Sequence, residues 1–259
     1  MQEPLDVAID ASGVARLTLN RPKRGNSVDL ELADALAAAL DRFAEDANLR
    51  ALVLTGSGRT FSGGVDLGWM RGAGSASDKA NYDDALKLAK LLYRLHTLPV
   101  PTVAAVPGRV IGLGVGMVAA CDIAVAVDSA TFRFSEVRFG ILPAVISPYV
   151  VPALGIRACR RYMLTAEPFG VTEAMRFGLV HQVCGFDELP LVTQQVVTEL
   201  LAGKRGAQAA VKLLLQDARA PKLTDALIKD TARRLAELRS TPEAQAALAE
   251  FLDQRSGLL

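Results

Sequence analysis

Residues 14–19, Val-Ala-Arg-Leu-Thr-Leu, alternate small or apolar positions with polar ones and then meet Asn20-Arg21-Pro22, a pattern that predicts a strand running into a turn. Residues 30–43 follow with apolar side chains at helical spacing. Three short apolar runs, at residues 51–55, 102–106 and 123–127, are bounded by Gly, Pro or Asp and predict fully buried strands. A second helical pattern covers residues 79–95. Strands alternating with helices imply an α/β core, although no repeat of fixed period is visible and periodicity does not give the winding of the sheet. After Val183 the character changes. Residues 189–201, 207–215, 223–238 and 242–252 are amphipathic without a strand-like run, so the last third predicts a helical layer. Thr241-Pro242-Glu243 has the form of an N-cap followed by proline at the first helical position. Such helices need a partner surface, supplied by the core or by a neighbouring subunit.

Composition narrows the class. The 259 residues are 51% hydrophobic and 22% charged, enough to bury a large core in one elaborated domain or two small ones. Lys plus Arg total 29 against 28 acids, so a formal charge of +1 provides no general field for nucleic acid or an anionic membrane. The most apolar region, residues 99–127, is interrupted by Pro101, Pro107, Arg109 and Asp122 and falls short of the ~20 residues of a membrane-spanning helix. The first ten residues, MQEPLDVAID, lack the basic start and apolar stretch of a secretory signal, so a cytoplasmic location is expected. Cys121, Cys159 and Cys184 are odd in number and unclustered, which predicts buried free thiols and no metal centre. His96 and His181 lie beside apolar runs and read as structural.

Two glycine-rich segments carry the candidate chemistry. Residues 56–67 place glycines and then Asp66 after a strand end, and glycine allows backbone to approach a ligand closely. Residues 108–116, Gly-Arg-Val-Ile-Gly-Leu-Gly-Val-Gly, form a turn that opens a helix, whose free N–H groups favour negative charge. With Arg21-Pro22-Lys23-Arg24-Gly25-Asn26-Ser27 before them and Ser135-Glu136-Val137-Arg138-Phe139-Gly140-Ile141-Leu142-Pro143 after them, they resemble successive motifs of the enoyl-CoA hydratase/isomerase (crotonase) family in the right order. The resemblance continues through residues 174–183 and 242–255, nearly the whole chain.

That resemblance implies a spiral α/β core of ββα units over residues 1–200 that carries an acyl-CoA site, and a helical trimerisation segment over residues 201–259. It implies a coenzyme A thioester as substrate partner, with no further cofactor, and a homotrimer or a dimer of trimers. By motif position Glu136 is the catalytic carboxylate, and the backbone N–H groups of Val65 and Leu113 form the oxyanion hole. Lys23, Arg24, Gly63, Asp66, Leu67, Trp69, Gly112, Ala144 and Phe251 are the expected substrate and CoA contacts. Gln254 stands where a phosphate-contacting lysine is frequent, and Arg255 is a substitute for it. Gly116 departs from hydratases with two glutamates, occupying the position of the first. A lone Glu136 would then need help to orient water, from backbone N–H groups after Pro143, or from Ser147 or Tyr149.

Residues 66–71 and 136–151 further resemble bacterial methylglutaconyl-CoA and isohexenylglutaconyl-CoA hydratases, which act on thioesters bearing a second carboxylate; Arg71 or Arg109 is then the expected contact for it. The expected reaction is reversible hydration of a branched 2-enoyl-CoA, or dehydration of the matching 3-hydroxyacyl-CoA. Decarboxylation and double-bond isomerisation are the enzymatic alternatives. An acyl-CoA- or RNA-binding protein without turnover is the alternative of another class.

Overall fold

The computed structural model describes residues 3–74, 76–217 and 223–256. β1 (Leu5–Ile9) and β2 (Val14–Leu19) pair antiparallel at one edge of a larger sheet, which continues in parallel through β3 (Ala51–Gly56), β5 (Thr102–Val106), β7 (Ile123–Val127) and β10 (Gln182–Cys184). A smaller sheet runs in the order β4 (Thr60–Ser62), β6 (Arg109–Ile111), β8 (Thr131–Arg133) and β9 (Phe169–Gly170). Each central strand of the larger sheet is followed, after residues 57–59, 107–108 or 128–130, by a strand of the smaller one. The chain therefore climbs as a spiral, depositing one strand in each sheet per turn and closing each turn with helix.

The central strands explain their own sequences. β5 is buried at every position and β3 and β7 at nearly every position, which is why they read as continuous apolar runs. α1 (Leu30–Glu45) covers the edge with Leu32, Leu36, Leu40 and Phe43, and Asp29 caps it by accepting from Leu32 N–H at 3.1 Å. α4 (Leu113–Ala120) has no polar face; it lies inside the core, enclosed on nearly all sides. After the first turn of the spiral come α2 (Leu67–Gly74) and the long α3 (Asp78–Thr97), whereas α4 alone separates the next two turns. That unequal insertion is why no fixed period shows in the sequence.

The third turn leads through a 3-10 turn, Glu136–Phe139, into α5 (Ser147–Leu154), α6 (Ile156–Thr165) and α7 (Val171–Phe177). The last third is helical as expected: α8 (Leu189–Ala202), α9 (Arg205–Asp217), α10 (Asp225–Arg239) and α11 (Pro242–Ser256), the last starting at the predicted proline. Three of these find their partner surface within the same chain. α8 lies on β3, β5 and β7, α10 runs along α3, and α11 meets α2 and the Glu136–Phe139 turn. α9 leaves Val211, Leu213, Leu214 and Leu215 exposed. Among the described residues no helix is long and apolar enough to cross a membrane. Cys121 and Cys159 are buried free thiols, whereas Cys184 is only half-buried.

One buried polar residue ties the loop of residues 21–27 to the sheets. Asn26 has no solvent exposure; its Oδ1 accepts from Arg21 N–H at 2.9 Å, and its Nδ2 donates to Ser57 O at 2.9 Å and Thr60 O at 2.6 Å. Its φ of 53° lies in the left-handed region that Asn tolerates better than most residues. Asn26→Ala leaves two carbonyls and one N–H without partners in a dry place. We expect a loss of roughly 2–4 kcal/mol in urea unfolding, and a change below 0.5 kcal/mol (order of magnitude) would contradict this role.

Candidate active site

The two glycine-rich segments meet through their backbones. Val28 N–H donates to Gly64 O at 2.8 Å, and Asp66 N–H donates to Val28 O at 2.8 Å. In this extended stretch successive groups point to opposite sides, so Val65 N–H is turned away from Val28, and it donates to no acceptor among the described residues. Ser62, itself fully buried, fixes the approach by accepting from Gly64 N–H at 3.2 Å and donating to Asn26 O at 3.0 Å.

The second N–H comes from the start of α4. Gly112 N–H is bonded to Arg133 O at 2.9 Å, which holds the turn, and Leu113 N–H, in the first turn of the helix, has no acceptor among the described residues. Gly64 packs directly on this turn: a Cβ built there would lie 3.0 Å from Ile111 O and 3.8 Å from Leu113 N. Two unpaired N–H groups thus sit on adjoining backbone segments.

Glu136, at the head of its 3-10 turn, completes the arrangement. A Cβ built on Gly112 would lie 3.1 Å from Glu136 Oε1, so the carboxyl rests against the turn that carries Leu113 N–H. The residue as a whole is partly exposed, but its carboxyl end is enclosed, with Oε2 buried and without a hydrogen-bond partner. Burial pushes this carboxyl up to about 7, partly offset by the backbone N–H groups of Glu136 itself and Ser135.

These groups open into one cavity of about 1080 Å3. Of the residues expected from sequence, Lys23, Arg24, Gly63, Val65, Asp66, Leu67, Gly112, Leu113 and Glu136 all line it. Lys23 and Arg24 stand on the loop of residues 21–27, where Arg24 is 3.6 Å from Asp29 and 4.0 Å from Asp66. Asp66 is engaged locally, accepting from Gly68 N–H at 2.8 Å at the start of α2.

Several of the expected residues lie outside that lining. Trp69 does not line the cavity; its indole N–H donates to Asp84 at 2.8 Å and joins α2 to α3. Ala144 is buried outside the lining, and its N–H donates to Leu142 O. Ser147 and Tyr149 are also outside it. Ser147 hydroxyl donates to Ala144 O at 2.8 Å, and Tyr149 is buried edge-on to His96. Val145 and Ile146 do line the cavity, and their N–H groups meet no acceptor among the described residues. The side chains of Phe251, Gln254 and Arg255 lie outside the described residues. Sequence reasoning missed Met70, Leu88, Leu235 and Arg239, which line the cavity from helices where they read as ordinary amphipathic positions.

The glycine at 116 also has a structural reason. A Cβ there would be 2.4 Å from Ile146 Cγ2 and 3.3 Å from Leu92 Cδ1, so branched apolar carbon fills the space into which a larger side chain at 116 would project. The wall on that side is hydrocarbon.

The family model described as enoyl-CoA hydratase/isomerase matches residues 10–257. The chain is 33% identical over 216 residues to enoyl-CoA hydratase AKT6-1 of Alternaria alternata, covering 82% of this chain and 69% of that one. It is 30% identical over 203 residues to a trans-2-decenoyl-[acyl-carrier-protein] isomerase of Streptococcus mutans, covering 78% and 77%. A crystal structure of an enoyl-CoA hydratase from Mycobacterium avium superposes with a TM-score of 0.86 at 32% identity over 98% of both chains. A match of this extent, joined to a spiral fold whose two glycine turns bracket a buried glutamate, places the chain in the enoyl-CoA hydratase/isomerase family.

Proposed function

We propose that the protein catalyses reversible hydration of a 2-enoyl-CoA thioester, with Glu136 as the acid/base group and the N–H groups of Val65 and Leu113 holding the thioester oxygen. The observation that carries this reading is the Glu136 carboxyl, its Oε2 buried without a partner among the described residues, lying against the Gly112 turn beside two unpaired N–H groups. Lys23 and Arg24 at the cavity wall supply local positive charge for the phosphates of CoA, which a chain of net charge +1 does not supply globally. The resemblance of residues 66–71 and 136–151 favours a branched acyl group of the methylglutaconyl type.

In the hydration direction the Glu136 carboxylate takes a proton from water as the water oxygen bonds to C3. The C2=C3 electron pair moves toward the thioester, and the resulting enolate oxygen accepts from Val65 and Leu113 N–H, each donor contributing about 3 kcal/mol in a dry site. Glu136 then returns the proton to C2, so H and OH add to the same face. The N–H groups of Val145 and Ile146 are the candidates for holding the water, since no second carboxylate can stand at Gly116.

A second reading, isomerisation, is favoured by the Ile146 wall. With hydrocarbon where a second acid would stand, Glu136 alone moves a proton between C2 and C4 through the same enolate. Mass spectrometry of the product separates the two, since hydration adds the mass of water and isomerisation adds nothing.

Glu136→Gln is expected to lower kcat by about a thousandfold or more while a saturated acyl-CoA still binds; near wild-type turnover would remove the mechanism. The pH profile follows from the raised carboxyl. The base form is needed, so kcat/KM should rise with pH through a midpoint near 7, and a midpoint below 5 would contradict the enclosed carboxyl. Stability has the opposite sign. Below about pH 4.5 Glu136 is protonated in both folded and unfolded chains, and as pH rises the fold carries a growing cost for the buried charge. Glu136→Gln should therefore be more stable than wild type above pH 7, by up to about 3 kcal/mol, with the gain fading below pH 5. A gain independent of pH would exclude this cause.

A further inference from the structure

Arg239 ends α10 and lines the same cavity as Glu136, yet it is only 7% exposed. Among the described residues, no hydrogen bond or ion pair takes up its guanidinium. Asp84 is the carboxylate whose charge acts on it, but Asp84 accepts from the Trp69 indole at 2.8 Å and stands beyond ion-pair distance. Burial accordingly holds the guanidinium below its ordinary value. A buried cation left in this condition destabilises a fold, and its forked donors are suited to a planar anion.

Its neighbourhood separates it from the CoA-facing cations. Arg24 lies near Asp29 and Asp66, and Arg109, on β6, lines the cavity with its Nη2 3.2 Å from a Cβ built on Gly25, so both stand beside the loop of residues 21–27. Arg71 is exposed and outside the cavity lining. Arg239 instead lines the cavity from α10, together with Leu235 of the same helix and Leu88 of α3, along which α10 runs. Of the two arginines expected from sequence, Arg71 stands outside the lining and Arg109 lines the cavity beside that loop, whereas Arg239 lines it together with the apolar side chains of Leu88 and Leu235.

We propose that Arg239 is the specificity residue of this cavity, and that it receives a second carboxylate at the far end of the acyl chain, so that the preferred substrates are CoA monothioesters of dicarboxylic acids. This rests on the acyl-CoA reading above. An aliphatic chain lies along Met70, Leu88 and Leu235 while its terminal carboxylate pairs with the guanidinium, supplying an acceptor that the described residues do not.

The test uses the full chain and saturated thioesters, so that no turnover is needed. Succinyl-, glutaryl- and adipyl-CoA are compared by calorimetry with the thioesters whose free carboxylate is replaced by a primary amide. At least one acid should bind wild type about ten- to a hundredfold more tightly than its amide. Arg239→Met should lose that difference, Arg239→Lys should keep part of it, and both should bind the amides within about twofold of wild type. Arg239→Met should also unfold at a temperature equal to or above wild type, whereas a guanidinium kept for the fold would make it less stable. No acid exceeding its amide on wild type, or a preference that persists in Arg239→Met, would overturn the proposal while leaving the acyl-CoA reading intact. Failure of wild type to bind any of the acids or amides would overturn both.

Discussion

A carboxyl group lies against residue 112 only because that residue has no side chain. Gly112 adopts φ 50° and ψ −114°, a conformation hostile to L residues, and its missing Cβ leaves the space in which Glu136 Oε1 sits. The same turn starts α4, so the first free N–H of a fully buried helix and the raised carboxyl become neighbours through one backbone position. Gly64 repeats the device from the other side, bringing the segment that bears Val65 N–H against Ile111 and Leu113. The rest of the fold serves these two close approaches. The double-layered spiral delivers each glycine turn at the end of a small-sheet strand, and Asn26 and Ser62 stitch the first turn to the loop of residues 21–27.

The main elements were legible because their burial is simple. β3, β5 and β7 are enclosed almost throughout and read as apolar runs, and α1 and α3 bury one face each and read at helical spacing. What stayed hidden was short or half-exposed. β1 buries only Leu5 of its five residues, and β4, β6 and β8 are three residues long, too brief for any period to register. The site divides in the same way. Gly63, Gly112 and Glu136 were legible only through their place in the ordered family motifs, since glycine-rich turns and single acids are common elsewhere. Trp69 and Ala144 lie outside the cavity lining, since adjacency along a motif does not say which face of a turn looks inward. Arg239 left no trace, since a charge in the last turn of an amphipathic helix ordinarily faces water and complements the helix dipole.

The cavity keeps polar groups in a condition the fold does not reward. Among the described residues, Glu136 Oε2 is buried without a partner, the mostly buried Arg239 guanidinium meets no acceptor, and four N–H groups at Val65, Leu113, Val145 and Ile146 face no protein acceptor. Each is costly alone, and together they suit the proposed reaction, in which Val65 and Leu113 hold an oxygen and Glu136 moves a proton. Ile146 and Leu92 fill the space beside Gly116 with hydrocarbon, and Ile146 carries that apolar surface to the cavity wall.

The central claim is that Val65 and Leu113 N–H converge on one thioester oxygen. Isotope-edited infrared spectroscopy of a saturated acyl-CoA labelled at the carbonyl carbon reads this directly. The account predicts that the carbonyl band of the bound thioester moves to lower frequency than in water, as two preorganised donors polarise the C=O bond. A bound band at or above its frequency in water would contradict it.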